Sequence, residues 1–229
     1  MKKIKFTGVN GSRRRMVNSR ELAQVVAGSL GKPLTATTQH ARNLRESKGA
    51  KNGPLLSAGG RGRHAPSMTC EDAAILICAV LGSEAVQDSV QTVESMRSLK
   101  ADFHSEHFVE RAPLRRPPPF ELGIERAHDM VEALACVLRF FAREKEYRWK
   151  LDSPGERIHE IYTVFEVEYP QHYASLTMGV RNLFWETWTF GRRSHSRNEQ
   201  IRRARNYQFR EIAEAINLRA DLNTGEQGA

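Results

Sequence analysis

Apolar positions recur at helical spacing through the first hundred residues of this chain. Towards its end they give way to β-branched and aromatic residues in partial alternation. Leu22, Val25, Val26 and Leu30 form one stripe at the period of an α-helix. Asn18 and Glu21 precede it at capping-box spacing, and Gly31 and Pro33 supply a stop, so a helix is predicted from Asn18 to Leu30. A second helix is predicted from Thr35 to Ser47. Leu34, Ala41 and Leu44 would face inward, with Thr37, Thr38, Gln39, Arg42, Asn43 and Arg45 mostly outside. The gap between these helices is about four residues and contains glycine, as a helix-turn-helix requires. Gly49 and Gly53-Pro54 close the unit.

Leu55-Leu56-Ser57-Ala58 and Arg63-His64-Ala65-Pro66 read as the arms of a hairpin around Gly59-Gly60-Arg61-Gly62. Thr69 and Asp72 then resemble a capping box, with Met68 placed to staple onto Ala73. Residues 73–81 are nearly all apolar, the mark of a helix buried on most faces, and Gly82 ends them. Val86, Val90, Val93, Met96 and Leu99 predict a fourth helix.

Periodicity breaks over residues 101–120, where the prolines of 111–119 impose extended backbone and a linker is expected. A long helix is predicted over 121–148, its stripe supplied by Ile124, Met130, Val131, Leu134, Val137, Leu138 and Phe141. Residues 157–190 read as two or three antiparallel strands, broken at Pro170 and Gly179. Gln208 to Leu218 is a final helix with Phe209, Ile212, Ala213 and Ile216 inward. The expected class is α+β in two parts. An arm (1–17) and a helical domain (18–100) lead through a linker (101–120) to a helix-plus-small-sheet domain (121–219) and a tail (220–229). The second domain would serve oligomerisation or partner sensing.

Charge changes this picture more than bulk composition does. The formal net charge is +8. Residues 1–68 hold 14 Lys and Arg against 2 Asp and Glu, and residues 69–191 hold 13 against 20. Residues 192–219 hold 8 against 3. Such asymmetry is the electrostatic footprint expected of a polyanion binder. No apolar run reaches the ~18 residues of a membrane span, and no signal-peptide core follows the basic start. The three cysteines sit in apolar helical patterns without Cys-x-x-Cys spacing and read as buried thiols in a reducing cytoplasm.

Residues 18–82 resemble winged helix-turn-helix DNA-binding proteins at the level of the superfamily. The resemblance rests on the Leu22, Val25 and Val26 stripe, the glycine-containing turn and the Gly59–Pro66 tip. It departs in having two helices before the tip where many winged folds have three. It implies that the second helix enters a major groove and that the tip lies on backbone or minor groove. Gln and Asn suit adenine, Arg suits guanine and Thr suits either, which nominates Thr37, Thr38, Gln39, Arg42, Asn43 and Arg45 as base or phosphate contacts. Gly60-Arg61-Gly62-Arg63 looks like the core of an AT-hook, with His64 where a proline usually follows. Arg13, Arg14 and Arg15 would hold phosphate without sequence preference. Arg192, Arg193, Arg197, Arg202, Arg203 and Arg205 make a second basic focus, for nucleic acid or for the acidic middle of the chain.

His104 and His107 are three apart, but no further ligand cluster completes a tetrahedral set, and no metal or cofactor is expected. Trp185 and Trp188, three apart in a strand-like run, should face opposite sides. No phosphate-binding loop, zinc-protease or serine-elbow motif is present, so the expectation is a non-enzyme. The leading expectation is a sequence-specific transcription regulator of bacterial or phage type, cytoplasmic and nucleoid-associated, dimeric, on double-stranded DNA. The alternatives are a packaging or recombination accessory subunit and a basic protein-binding module.

Overall fold

Asn18 caps the first helix as its spacing predicts. Its side chain accepts from the Arg20 and Glu21 amides at 3.0 Å each, and Glu21 accepts in return from the Asn18 amide at 3.3 Å. Helix α1 (Ser19–Leu30) ends at Gly31, whose φ of 61° is the left-handed conformation that favours glycine. The structure is a computed structural model that describes residues 17–47, 54–57, 67–108, 123–143, 161–169, 173–180, 184–192 and 200–217. Further helices are α2 (Leu34–Glu46), α3 (Cys70–Gly82), α4 (Ser89–Ser98), α5 (Met130–Ala142) and α6 (Asn206–Asn217). The strands are β1 (Ala101–Phe108), β2 (Ile161–Tyr169), β3 (Tyr173–Val180), β4 (Phe184–Phe190) and β5 (Gln200–Arg205). The class is α+β, as expected.

The described strands form one antiparallel sheet in the order β1-β4-β3-β2-β5. One register row crosses it through Ala204, Phe165, Leu176, Trp188 and His104. The first four are at most 5% exposed, and His104 stacks on Trp188 with ring centroids 5.1 Å apart. Trp185 lies on the opposite face at 41% exposure, so the two tryptophans do face opposite sides. Helices α3 and α6 lie against β2 and β5 on the buried face. Helix α3 is central: every residue from Asp72 to Gly82 is buried, and α1, α2, α4, α5 and α6 all touch it.

Four expectations change. Residues 101–108 belong to β1 and not to a linker. They carry little β-branched signal, and their partner β4 lies some eighty residues on, so pairing and not propensity makes the strand. In a strand, positions 104 and 107 alternate faces, which removes the helical spacing that would aim two imidazoles at one metal. The predicted helix over 121–148 is interrupted. A 3₁₀ turn at Ile124–Arg126 precedes Asp129, which caps α5 by accepting from the Glu132 amide at 2.9 Å. Residues 54–57 form a bend that buries Leu55 and Leu56, not a hairpin arm; Arg61, Arg63 and His64 lie outside the described residues. Finally, one buried cluster runs from Val17 to Ile216, so the two expected parts share a core.

Strand β5 was not expected, and half of the second basic focus stands on it. Arg202 donates to the carbonyls of Leu81, at 3.1 Å, and Ser83, closing the C-terminus of α3. Its guanidinium also lies over the Tyr169 ring, whose hydroxyl donates to Glu84 at 2.5 Å. Arg203 pairs with Glu166 at 2.5 Å. These two arginines are therefore engaged within the fold. Arg202→Ala should lower the urea midpoint, at a cost of about 2–3 kcal/mol, because it strips charged donors from two helix-end carbonyls. A cost under about 0.5 kcal/mol would remove Arg202 from that role.

Candidate nucleic-acid interface

The inward stripe of α2 is displaced from the one the sequence suggests. Leu34 is 45% exposed and Thr37 1%. The helix starts at Leu34, directly after Pro33, so its first residue overhangs the contact with α1. The buried line then runs through Thr37, His40, Ala41 and Leu44. Thr37 tolerates burial because its hydroxyl donates back to Pro33 O at 3.1 Å. It is thus withdrawn from any surface that could touch a base.

The outer face of α2 is left to Thr38, Gln39, Arg42 and Arg45. Arg42 pairs with Glu46 at 3.1 Å across one exposed turn, a contact of small energy that a phosphate or base can replace. Arg45 reaches Ser19 Oγ at 3.4 Å. Asn43 is committed inward: its amide donates to Val86 O at 2.9 Å and its carbonyl accepts from Gln39 at 2.8 Å. The back of the helix is held by His40. Ser89 Oγ donates to Val86 O, so it accepts from His40 Nδ1–H, 2.7 Å away. Burial, with repulsion from Arg202 second, lowers the His40 pKa to about 4, and the ring is neutral at pH 7.

Several chain ends meet beside the last turn of α2. Val17 O accepts from the Met68 amide at 2.9 Å, and Leu44 O accepts from the Leu55 amide at 3.0 Å. Buried Asp72 ties these together. Its carboxylate accepts from the Ser57 amide at 2.8 Å, Ser57 Oγ at 3.1 Å, the Thr69 amide at 2.8 Å and Thr69 Oγ1 at 3.0 Å. Ser57 and Thr69, on either side of residues 58–66, are thereby held at the N-terminus of α3. Segments 1–16, 48–53 and 58–66 all connect here, and together they carry ten Lys and Arg and no Asp or Glu. Arg13, Arg14, Arg15, Arg61, Arg63 and His64 are in these segments and lie outside the described residues.

Comparison with known protein families, curated proteins and solved structures finds no match to this chain. The interface therefore stands on its own geometry. Sequence reasoning found Asp72 as a helix cap but missed its hold on Ser57, because no local spacing encodes a contact fifteen residues away. His40 was missed too: a histidine between Gln39 and Ala41 gives no sign of facing Ser89. Among the described residues, no group of three His, Cys, Asp or Glu could hold a metal ion. No described helix is long and apolar enough to cross a membrane.

Proposed function

We propose that this chain is a sequence-specific DNA-binding transcription regulator, with α2 as its reading helix and residues 58–66 as its wing. The observation that carries the reading is that the described residues flanking three segments rich in Lys and Arg and free of acids, among them Val17, Ser47, Leu55, Ser57 and Met68, are bonded together beside the last turn of α2. Basic groups gathered at one pole supply the sequence-independent attraction to phosphate, and an adjoining exposed polar helix face supplies discrimination. On this reading Arg42 and Arg45 reach guanine edges or phosphates, with Thr38 and Gln39 beside them. Arg61 and Arg63 enter a groove from the wing and Arg13–Arg15 neutralise phosphates. Asn43 steadies the helix against Val86. The protein would act as a homodimer on double-stranded DNA in the nucleoid, without a cofactor.

The test is retention of fragmented genomic DNA by the full chain at moderate salt, followed by sequencing. A few sharp peaks sharing a motif are expected; a flat, salt-sensitive profile overturns sequence specificity. Arg42→Ala should then weaken the recovered site on the order of 10- to 100-fold, and random duplex only a few-fold. Replacing Arg13, Arg14 and Arg15 by alanine should weaken both alike and reduce the salt slope by roughly 2–3. Equal losses on specific and random DNA in Arg42→Ala would end its base-reading role.

A further inference from the structure

Two parts of the fold grip one short loop from opposite sides. Residues 83–88 join α3 to α4. From the sheet, Arg202 of β5 donates to Ser83 O, and Tyr169 of β2 donates its hydroxyl to Glu84 at 2.5 Å. From the helical side, Asn43 of α2 donates to Val86 O at 2.9 Å. His40, one turn earlier on α2, reaches the same carbonyl through Ser89, whose hydroxyl accepts from His40 and donates to Val86 O. Ser83, Glu84 and Val86 therefore carry both grips, and the sheet is tied to the back of α2 through them.

The loop is braced against absorbing a displacement. Asp88 Oδ2 accepts from the Ala85 amide at 3.2 Å, and the Asp88 amide donates to Ala85 O at 3.0 Å. The Ser83 hydroxyl donates to Thr92 Oγ1 of α4 at 3.1 Å, and both residues are buried. A loop closed by its own bonds moves as a unit, so a shift imposed at Ser83 or Glu84 arrives at Val86. The sheet side is set as firmly. The Arg202 guanidinium lies over the Tyr169 ring, 5.7 Å from its centroid. The bond to Glu84 pushes the Tyr169 hydroxyl above its ordinary pKa, so the phenol keeps its proton and donates.

We propose that Tyr169 and Arg202 are positioning residues for DNA reading: through residues 83–88 they set the pose in which α2 presents Thr38, Gln39, Arg42 and Arg45. The inference rests on α2 being the reading helix. Hydrogen bonds to base edges need their donors held within about 0.5 Å of the productive geometry, whereas attraction to phosphate acts over longer distances. A loosened α2 therefore loses discrimination before it loses affinity. Tyr169 is uncharged at pH 7, so its effect on DNA binding is one of placement.

The experiment compares the full chain with Tyr169→Phe, Glu84→Ala, Glu84→Gln and Arg202→Ala. Two quantities are read: amide hydrogen exchange along α1 and α2 without DNA, and the ratio of affinities for the recovered site and for random duplex. Tyr169→Phe keeps the ring beneath Arg202 and deletes only the hydroxyl. It should speed exchange in α2 but not in α1, and lower the ratio about threefold, with random-duplex affinity and salt slope unchanged. Glu84→Ala should match it, and combining the two should add nothing, because both delete the same bond. Glu84→Gln keeps an acceptor for the hydroxyl and should hold the wild-type ratio. Arg202→Ala should lower the ratio further than Tyr169→Phe. A merely structural role would lower the urea midpoint and leave both the ratio and the contrast between α1 and α2 unmoved, which would overturn the proposal. Unchanged α2 exchange in both Tyr169→Phe and Arg202→Ala would overturn the linkage, and altered exchange with an unchanged ratio would overturn its part in reading. Should the wild type recover no preferred site, the α2 reading fails and exchange alone decides the linkage. Glu84 is exposed and Tyr169→Phe removes one oxygen, so these variants should fold.

Discussion

Asp72→Ala should lose about 4 kcal/mol of unfolding free energy, a large share of what a domain of this size holds. The carboxylate is 3% exposed and accepts four hydrogen bonds from Ser57 and Thr69. Alanine leaves the amides of both residues without their acceptor, and a buried unpaired donor costs about 1–3 kcal/mol. It also removes one half of the α3 capping box, worth about 1 kcal/mol. The urea midpoint should fall with little change in m. Ser57→Ala removes only one hydroxyl contact and should cost about 1 kcal/mol. If Asp72→Ala costs no more than that, the carboxylate does not join residues 54–57 to α3. A milder consequence should follow for DNA. Ser57→Ala loosens one end of residues 58–66, so specific binding should weaken more than random binding.

Acidification should cost about 3 kcal/mol through His40 alone. Its pKa is about 4 in the fold, against 6.5 for the free side chain, so the unfolded chain binds the proton first. A lowered histidine pKa means that stability is full above pH 6.5, falls between pH 6.5 and about 4, and levels off below. The physical cause is burial against α4, reinforced by Arg202, which reaches the same corner from β5. His40→Gln keeps a polar side chain there and removes the titration. Chemical denaturation at pH 7 and pH 4.5 should show the wild type losing more stability than His40→Gln by about 2 kcal/mol or more. Equal losses would show that another group controls the acid limb.

Local chemistry was legible wherever a few neighbouring residues decide it. The Asn18–Glu21 and Thr69–Asp72 boxes, the Gly31 stop, the buried run of α3, the strand character of the region up to residue 190 and the final helix all follow from contacts within four residues or from period, although Gly179, read as a break, pairs within β3. What failed depends on distant partners. β1 exists because β4 pairs with it. β5 exists because Glu166 and Val164 offer partners to an arginine-rich run that the sequence marks only as a basic focus. The face of α2 was misjudged by one helical step, because Leu34 attracts a hydrophobic reading while Thr37 hides its hydroxyl on Pro33. Of the candidate interface, the exposed α2 residues could be read from sequence. The joining of the residues that flank its three basic segments could not, because backbone bonds between residues such as Val17 and Met68 leave no mark on composition.

Gln208 of α6 donates to Ser29 O of α1 at 2.8 Å, and the two helices pack along their length, although 179 residues separate this pair. A contact of such separation closes late, because the whole intervening loop must be ordered before it is rewarded. During synthesis the first helix emerges long before the helix that completes its packing. The nascent N-terminal region should therefore stay unsettled, and open to chaperones or proteases, until Asn217 has cleared the ribosome. Finishing the chain becomes a checkpoint: a truncated product that still carries every basic residue of the first hundred would lack the scaffold that presents them.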